Sequence, residues 1–167
     1  MEVYIIADMH FGDRFILSYE NRPFKSVEEM DQTIIENWNR TVGNEDVVYV
    51  LGDVGDESVI QQLNGIKYLV KGNHDTKEDE IYRQCGFAKV YDLPVILDEF
   101  WILSHEPVYV NSNMPYANLF GHVHANPIYK TASPQSFCVS VERIDYTPAL
   151  LSDIKKRIRE EAMKEKN

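Results

Sequence analysis

The stretch IKYLVKGNHD, residues 66–75, begins as a mostly apolar run and ends in a cluster of polar groups. A short apolar run rich in branched and aromatic residues predicts a buried β-strand. Gly72 allows a tight turn directly after this strand, and the turn aims Asn73, His74 and Asp75 into one place. An amide, an imidazole and a carboxylate at the end of a buried strand indicate a functional site.

Two other apolar runs precede this strand and predict buried strands of their own: VYIIAD at 3–8 and DVVYVLGD at 46–53. Between them, Ser26 and Glu29 form an S-x-x-E capping box ahead of apolar residues at three- and four-residue spacing, which predicts a helix. A shorter helix is predicted for about 57–63. The order β-α-β-α-β implies parallel strands joined by right-handed crossovers.

After residue 86 the chain reads as strands joined by short turns, which predicts a second, largely antiparallel sheet. Its predicted strands are KVYDLPVILD (89–98), EFWILSH (99–105), NLFGHVH (118–124) and SFCVSVE (136–142). Thr76 is the predicted N-cap of one further helix. Thr147 and Pro148 predict the start of a terminal helix, whose apolar stripe is Leu150, Leu151, Ile154 and Ile158.

The length of 167 residues predicts a single domain over 1–167. The formal charge of −10 disfavours a protein that holds long nucleic acid through phosphate contacts. Cys85 and Cys138 lie far apart and form no CxxC pattern, which favours reduced thiols in a cytoplasmic protein. The first ten residues, MEVYIIADMH, lack the basic start of a signal peptide, and no stretch approaches the roughly 18 apolar residues of a membrane span.

All five histidines lie in polar clusters where predicted strands end. Taken singly, each cluster is a weak signal, since surface turns and satisfied core histidines are common. In open α/β sheets, however, ligands bind just beyond the carboxyl ends of the parallel strands. The clusters therefore indicate one shared site, built from Asp8-Met9-His10, Gly52-Asp53, Gly72-Asn73-His74-Asp75, Ser104-His105 and Gly121-His122-Val123-His124.

Metal binding is the chemistry that suits this set. Carboxylate, imidazole and amide oxygen ligands favour manganese, iron or zinc, with manganese preferred. The candidates exceed one tetrahedral site and fit two divalent ions if one carboxylate bridges them. Two such ions can lower the pKa of a shared water and stabilise an in-line displacement at phosphorus. The candidate ligands are Asp8, His10, Asp53, Asn73, His105, His122 and His124.

The order D-x-H, G-D, G-N-H-D, H, G-H-x-H resembles that of the calcineurin-like metallophosphoesterases. The motifs run from Asp8 to His124, over most of the chain, and every position of the signature is filled. The stretch RPFKSVEEM followed by IIENWN is also similar to a short bacterial and phage branch of that superfamily. The resemblance implies a four-layer αββα sandwich of two mixed sheets flanked by helices, with the metal site at one edge of the paired sheets.

The resemblance also implies a role for each candidate residue. It places one ion on Asp8, His10 and His124 and the other on Asn73, His105 and His122, with Asp53 between them. His74 is then no metal ligand but faces the substrate, where it stabilises developing negative charge or protonates the leaving oxygen. Asp75 is expected to orient His74.

One position departs from the pattern of the short branch, in which another histidine is expected after Phe11 and Gly12. This sequence has Asp13 instead, and an acidic side chain at that place could change which phosphate ester is accepted. Arg14 and Arg22 lie in the same loop and could contact a phosphate. A loop arginine is more often solvated, so both are left out of the predicted site.

Two other classes share part of the pattern. A non-catalytic protein-binding module on the same fold would be expected to lose ligands or His74, and this chain has lost none. Amidohydrolases also use H-x-H, although near the first strand of a longer barrel, whereas here it comes last at His122 and His124. A dinuclear phosphoesterase acting on a small phosphodiester or nucleotide is favoured, because long nucleic acid is disfavoured by charge.

Overall fold

The computed structural model describes residues 1–128 and 133–164. Its first sheet has five strands in the order β4-β3-β2-β1-β9. The pairs β1–β2, β2–β3 and β3–β4 are parallel and only β9 runs antiparallel, which confirms the parallel sheet predicted for the first half. The strands are β1 Val3–Ile6, β2 Val47–Val50, β3 Ile66–Val70, β4 Phe87–Tyr91 and β9 Ala149–Leu150.

The second sheet has the order β5-β6-β7-β8 and is mainly parallel. Only β5–β6 is antiparallel, whereas β6–β7 and β7–β8 are parallel, so the prediction of a largely antiparallel sheet was wrong. The connections 105–116 and 121–135 reach the length of about a dozen residues that a crossover between parallel strands needs. The strands are β5 Val95–Leu97, β6 Trp101–Ser104, β7 Ala117–Phe120 and β8 Ser136–Cys138.

The described residues contain four α-helices, which are α1 Arg14–Tyr19, α2 Val27–Thr41, α3 Asp79–Gln84 and α4 Leu151–Lys164. The predicted capping of α2 is confirmed, because the Ser26 hydroxyl accepts a hydrogen bond from the Glu29 N–H at 3.2 Å. Its apolar stripe of Met30, Ile34 and Trp38 is buried. Burying three large side chains along one face is what holds such a helix to a sheet.

The shorter predicted helices differ in detail. The segment predicted at about 57–63 is a 3-10 helix, Glu57–Gln62. Thr76 does not cap a helix, because α3 begins only at Asp79. Thr147 does not cap α4 either: β9 first pairs with β1, and α4 follows it. The sequence pattern assigns Ala149 and Leu150 to the first turn of the helix, but in the structure they form β9 and pair with β1.

One buried core contains side chains from both sheets, including Ile5 and Val48 from the first and Leu103 and Leu119 from the second. The sheets also meet through the backbone just beyond β1. The Ala7 N–H donates to the Val139 carbonyl at 3.0 Å, and the Val141 N–H donates to the Ala7 carbonyl at 3.1 Å. The two sheets are therefore joined just beyond the ends of β1 and β8. Within the described ranges, no helix combines the length and the apolar character needed to cross a bilayer.

Candidate metal centre

Three of the predicted ligands form a close group at the ends of β3, β6 and β7. The Asn73 amide oxygen lies 2.9 Å from Nε2 of His105 and 3.0 Å from Nδ1 of His122. The two ring nitrogens are themselves 3.1 Å apart. Three atoms that carry lone pairs thus converge on one point, and a cation placed there would satisfy all three at once.

A second group contains Asp8, His10 and His124, each of which offers one donor atom within 4.8 Å of the others. The rings of His10 and His124 lie with their centroids 5.2 Å apart. Both oxygens of Asp8 accept a hydrogen bond from the backbone N–H of His122, at 2.9 and 3.0 Å. This contact joins the second group to the first.

Asp53 lies between the two groups. Its Oδ2 atom is 3.5 Å from Nε2 of His10 and 3.5 Å from Nε2 of His105. Its other oxygen accepts a hydrogen bond from the backbone N–H of His74 at 3.0 Å. A single carboxylate oxygen is therefore equidistant from one histidine of each group.

The burial and charge of these groups fit bound cations. Burial raises the pKa of Asp8 to about 6, and burial lowers the pKa of His10 to about 4. The pKa of His122 is lowered, first by burial and then by the neighbouring His105. Nε2 of His10 is buried and has no hydrogen-bond partner among the described residues. A lowered imidazole pKa and a buried, unpartnered ring nitrogen that faces carboxylates match the donor chemistry of a metal centre.

The backbone around the centre is held in an uncommon conformation. Five of the candidate ligands have positive φ, between 49° and 67°: Asp8, His10, Asp53, His122 and His124. A non-glycine residue in the left-handed region costs roughly 1–3 kcal/mol and persists where the surroundings hold it. Cross-links between the loops do so, since Asp8 N–H donates to the Gly52 carbonyl and His10 N–H to the Asp53 carbonyl, both at 3.0 Å.

Two glycines allow the loops to approach this closely. A Cβ at Gly72 would lie 2.3 Å from Oδ1 of Asp53, and a Cβ at Gly52 would lie 2.5 Å from Nδ1 of His105. Gly52 also has a φ of 86°, which side chains rarely permit. The G-D and G-N-H-D motifs therefore need their glycines for contact with the ligands as well as for the turn.

Asp75 was expected to orient His74, and its carboxylate contacts backbone groups of two loops. Its buried carboxylate accepts hydrogen bonds from the backbone N–H groups of Asp53 at 2.7 Å, Val54 at 3.1 Å and Gly72 at 2.8 Å. Burial raises its pKa, and these backbone donors oppose that shift. Asp75 thus ties together the loop after β2 and the loop after β3, which carries His74.

Arg22 and Glu142 belong to the centre, although neither was predicted to. Arg22 was expected to be solvated, which is wrong: its guanidinium is buried and donates to the backbone carbonyls of Asp8 at 2.6 Å and Met9 at 2.9 Å. It also contacts the Glu142 carboxylate at 2.7 Å. The same carboxylate oxygen lies 3.0 Å from Nδ1 of His124.

The Glu142 carboxylate holds its charge through these two partners. Burial opposes ionisation, yet the hydrogen bond to His124 and the charge of Arg22 hold the pKa of Glu142 below its usual value. In turn, although burial disfavours the charged ring, Glu142 and Asp8 raise the pKa of His124. A carboxylate on Nδ1 orients the ring and leaves Nε2 to face the centre.

Asp13 and Arg14 have separate positions. Asp13 is the N-cap of α1, where its side chain accepts a hydrogen bond from the Phe15 N–H at 2.8 Å, and its other oxygen lies 3.8 Å from Nδ1 of His10. Asp13 therefore lies beside the centre and also caps helix α1. Arg14 is exposed on α1, as expected for a solvated side chain.

Residues 1–161 match the family of calcineurin-like phosphoesterases, and the chain belongs to that family. The resemblance inferred from the motifs and the sandwich of two mixed sheets are both confirmed. The family supports a metal-dependent phosphoesterase as the general class of protein, and the ligand groups described above support metal binding.

Two of the similar proteins match nearly the whole chain, and a third matches about three quarters of it. An uncharacterized protein of Methanocaldococcus jannaschii, MJ1445, is 34% identical over 94% of this chain and 91% of its own length. The crystal structure of AQ665 from Aquifex aeolicus, a protein of unknown function, has a TM-score of 0.77 at 25% identity and covers 93% of this chain and 98% of its own. The nuclease MPE of Pseudomonas putida shares the fold, with a TM-score of 0.51 at 21% identity over 73% of this chain and 61% of its own.

The buried ion pair beside the centre gives a prediction for stability. Glu142→Gln should lower the free energy of unfolding by about 3–5 kcal/mol, because it leaves the Arg22 guanidinium buried without its counter-charge. The measurement is urea unfolding in the presence of a chelator. The matched control is Glu160→Gln on α4, whose exposed partner Lys156 lies 4.0 Å away, and which should change the free energy by less than about 1 kcal/mol. Equal effects of the two substitutions would contradict the structural role of the Arg22–Glu142 pair.

Proposed function

We propose that this protein is a dinuclear metal-dependent phosphoesterase that hydrolyses a small phosphodiester or nucleotide. The observation that carries the proposal is the position of Asp53, whose Oδ2 atom lies 3.5 Å from a histidine of each ligand group. A carboxylate has two oxygens and one negative charge, so it can serve two cations at once. Membership of the phosphoesterase family supports the reaction class.

The two groups would each hold one ion, the first through Asp8, His10 and His124 and the second through Asn73, His105 and His122, with Asp53 shared. Manganese suits the set best, because its donors are nitrogen and oxygen only. When bound, two divalent cations lower the pKa of a shared water and offset the negative charge of the phosphate ester. Glu142 would keep His124 in the tautomer whose Nε2 faces the ion.

His74 is the proposed proton donor to the leaving oxygen. Its side chain is 66% exposed, and its Nε2 lies 4.0 Å from Oδ2 of Asp53. Its backbone N–H is bonded to that same carboxylate, so the ring is held beside the centre without being enclosed by it. A positioned imidazole next to the reacting phosphate can give its proton as the bond from phosphorus to the leaving oxygen breaks.

The charge around the centre supports a small substrate. Two divalent cations would reduce the net charge from −10 to about −6, which still opposes binding of a polyanion. Glu20 and Glu106 line an open cavity of about 540 Å³ together with Asp53, His74 and His122. We propose that residues 1–167 form one catalytic domain with an open site of this kind.

Removal of metal tests the reaction class directly. Dialysis against a chelator should abolish hydrolysis of bis(4-nitrophenyl) phosphate, because the water that attacks phosphorus would need bound cations to lower its pKa. Manganese should restore the rate better than zinc or magnesium. The control is circular dichroism before and after chelation, which should show that the chain stays folded. Undiminished hydrolysis after exhaustive chelation would exclude the two-metal mechanism. Two bound ions with no hydrolysis of any phosphate ester would favour a binding module instead.

The shared position of Asp53 predicts how metal is lost. Asp53→Asn should weaken both sites together, because an amide offers one oxygen and no charge. His10→Ala and His105→Ala should each empty mainly one site. Elemental analysis of the folded variants gives the stoichiometry. Two tightly bound ions in Asp53→Asn would show that this carboxylate does not bridge them.

The role of His74 is tested by His74→Asn. This variant should keep both ions and lower kcat by about 10²–10⁴-fold, the usual contribution of a positioned proton donor. Steady-state kinetics are paired with metal analysis of the same sample. A wild-type rate with full metal content would remove His74 from the mechanism, whereas loss of an ion would make it a ligand.

A further inference from the structure

Helix α1 presents two aromatic side chains to solvent immediately after the D-x-H motif. Phe15 and Tyr19 are 76% and 82% exposed. The helix is attached to the core by Ile16, which is buried, and by Leu17, which packs against the core. The two aromatic rings therefore contribute little to the burial that stabilises the fold.

These rings lie at the proposed active site. Both line a cavity of about 340 Å³ together with His10, His74 and His124, a size within the range of sites for small molecules. Residues four apart on a helix lie on one face, and both side chains line this same cavity. Tyr19 also lines the larger cavity that contains Asp53. Two exposed aromatic side chains thus line the wall of the cavity that contains the histidines of the proposed site.

We propose that Phe15 and Tyr19 form a platform on which the nucleobase of the substrate stacks. The inference rests on the proposed function and narrows its substrate class to phosphodiesters that carry a nucleobase. Each base has a π-face, and stacking on an aromatic side chain contributes to binding without requiring a particular sequence. The tyrosine adds a hydroxyl that remains in water while its ring stacks.

The charges of the cavities limit the rest of the substrate. Among the residues that the structure describes, the side chains lining the two cavities include no lysine or arginine, while Asp13, Glu20 and Glu106 are acidic. A chain of further phosphates would meet these carboxylates without a protein cation to offset them. The platform therefore suits a diester with one phosphate and an uncharged ring rather than a nucleoside triphosphate or a polynucleotide.

The test compares two substrates with the same leaving group. The ratio of kcat/KM for thymidine 5′-(4-nitrophenyl phosphate) to that for methyl 4-nitrophenyl phosphate should be high for the manganese-loaded wild-type protein. It should fall about 5- to 100-fold in Phe15→Ala and in Tyr19→Ala, in line with the loss of one stacked base. Phe15→Trp keeps an aromatic ring at this position and should keep the high ratio of the wild-type protein. The control is Leu93→Ala, since Leu93 is 75% exposed and lines neither cavity, and this variant should leave the ratio unchanged.

Each other outcome overturns a defined part of the inference. If the wild-type protein hydrolyses both substrates and the ratio does not respond to either alanine variant, the platform is wrong and the proposed function stands. If it hydrolyses neither, the proposed function fails. Calorimetric titration with thymidine 5′-methyl phosphate and with dimethyl phosphate then decides whether the rings bind a base, and equal affinities would overturn the platform. A change from dimer to monomer in Phe15→Ala, with an unchanged ratio, would assign the rings to a contact between copies of the chain.

Discussion

The parallel pairing of β1, β2 and β3 is the constraint on which the geometry of the centre depends. In register, Ile6 pairs with Val50, and Val50 pairs with Leu69. Parallel strands that end together deliver their following loops to one edge of the sheet. The carboxylates of Asp8 and Asp53, the imidazole of His10 and the amide of Asn73 come from those loops. The second sheet meets the same edge through its own parallel strands and brings the remaining three histidines.

The loops that carry the ligands are cross-linked more densely than a surface loop usually is. Asp75 accepts hydrogen bonds from both the β2 loop and the β3 loop, and Arg22 donates to two carbonyls of the β1 loop. These contacts hold the left-handed backbone at Asp8 and Asp53. The conformational cost is therefore met by buried polar contacts around the centre.

The sequence predicted the first sheet, α2 and the proposed ligands because their signals are local: short apolar runs, a capping box, and polar groups where the runs end. It did not predict Arg22 and Glu142, which lie 120 residues apart and look like ordinary charged residues until the fold joins them. Strand direction in the second sheet depends on the path of its connections, which has no local pattern. Similarly, Thr147 matches a helix cap, but pairing of β9 with β1 overrides that preference.

The wide spacing of the proposed ligands has a consequence for synthesis of the protein. Asp8 and His10 leave the ribosome more than a hundred residues before His122 and His124. At about 5–20 residues per second the first loop waits several seconds for its partners. A cation that needs all the ligands cannot assist the early steps and would bind only a nearly complete fold. Metal uptake would then report that translation has passed β7.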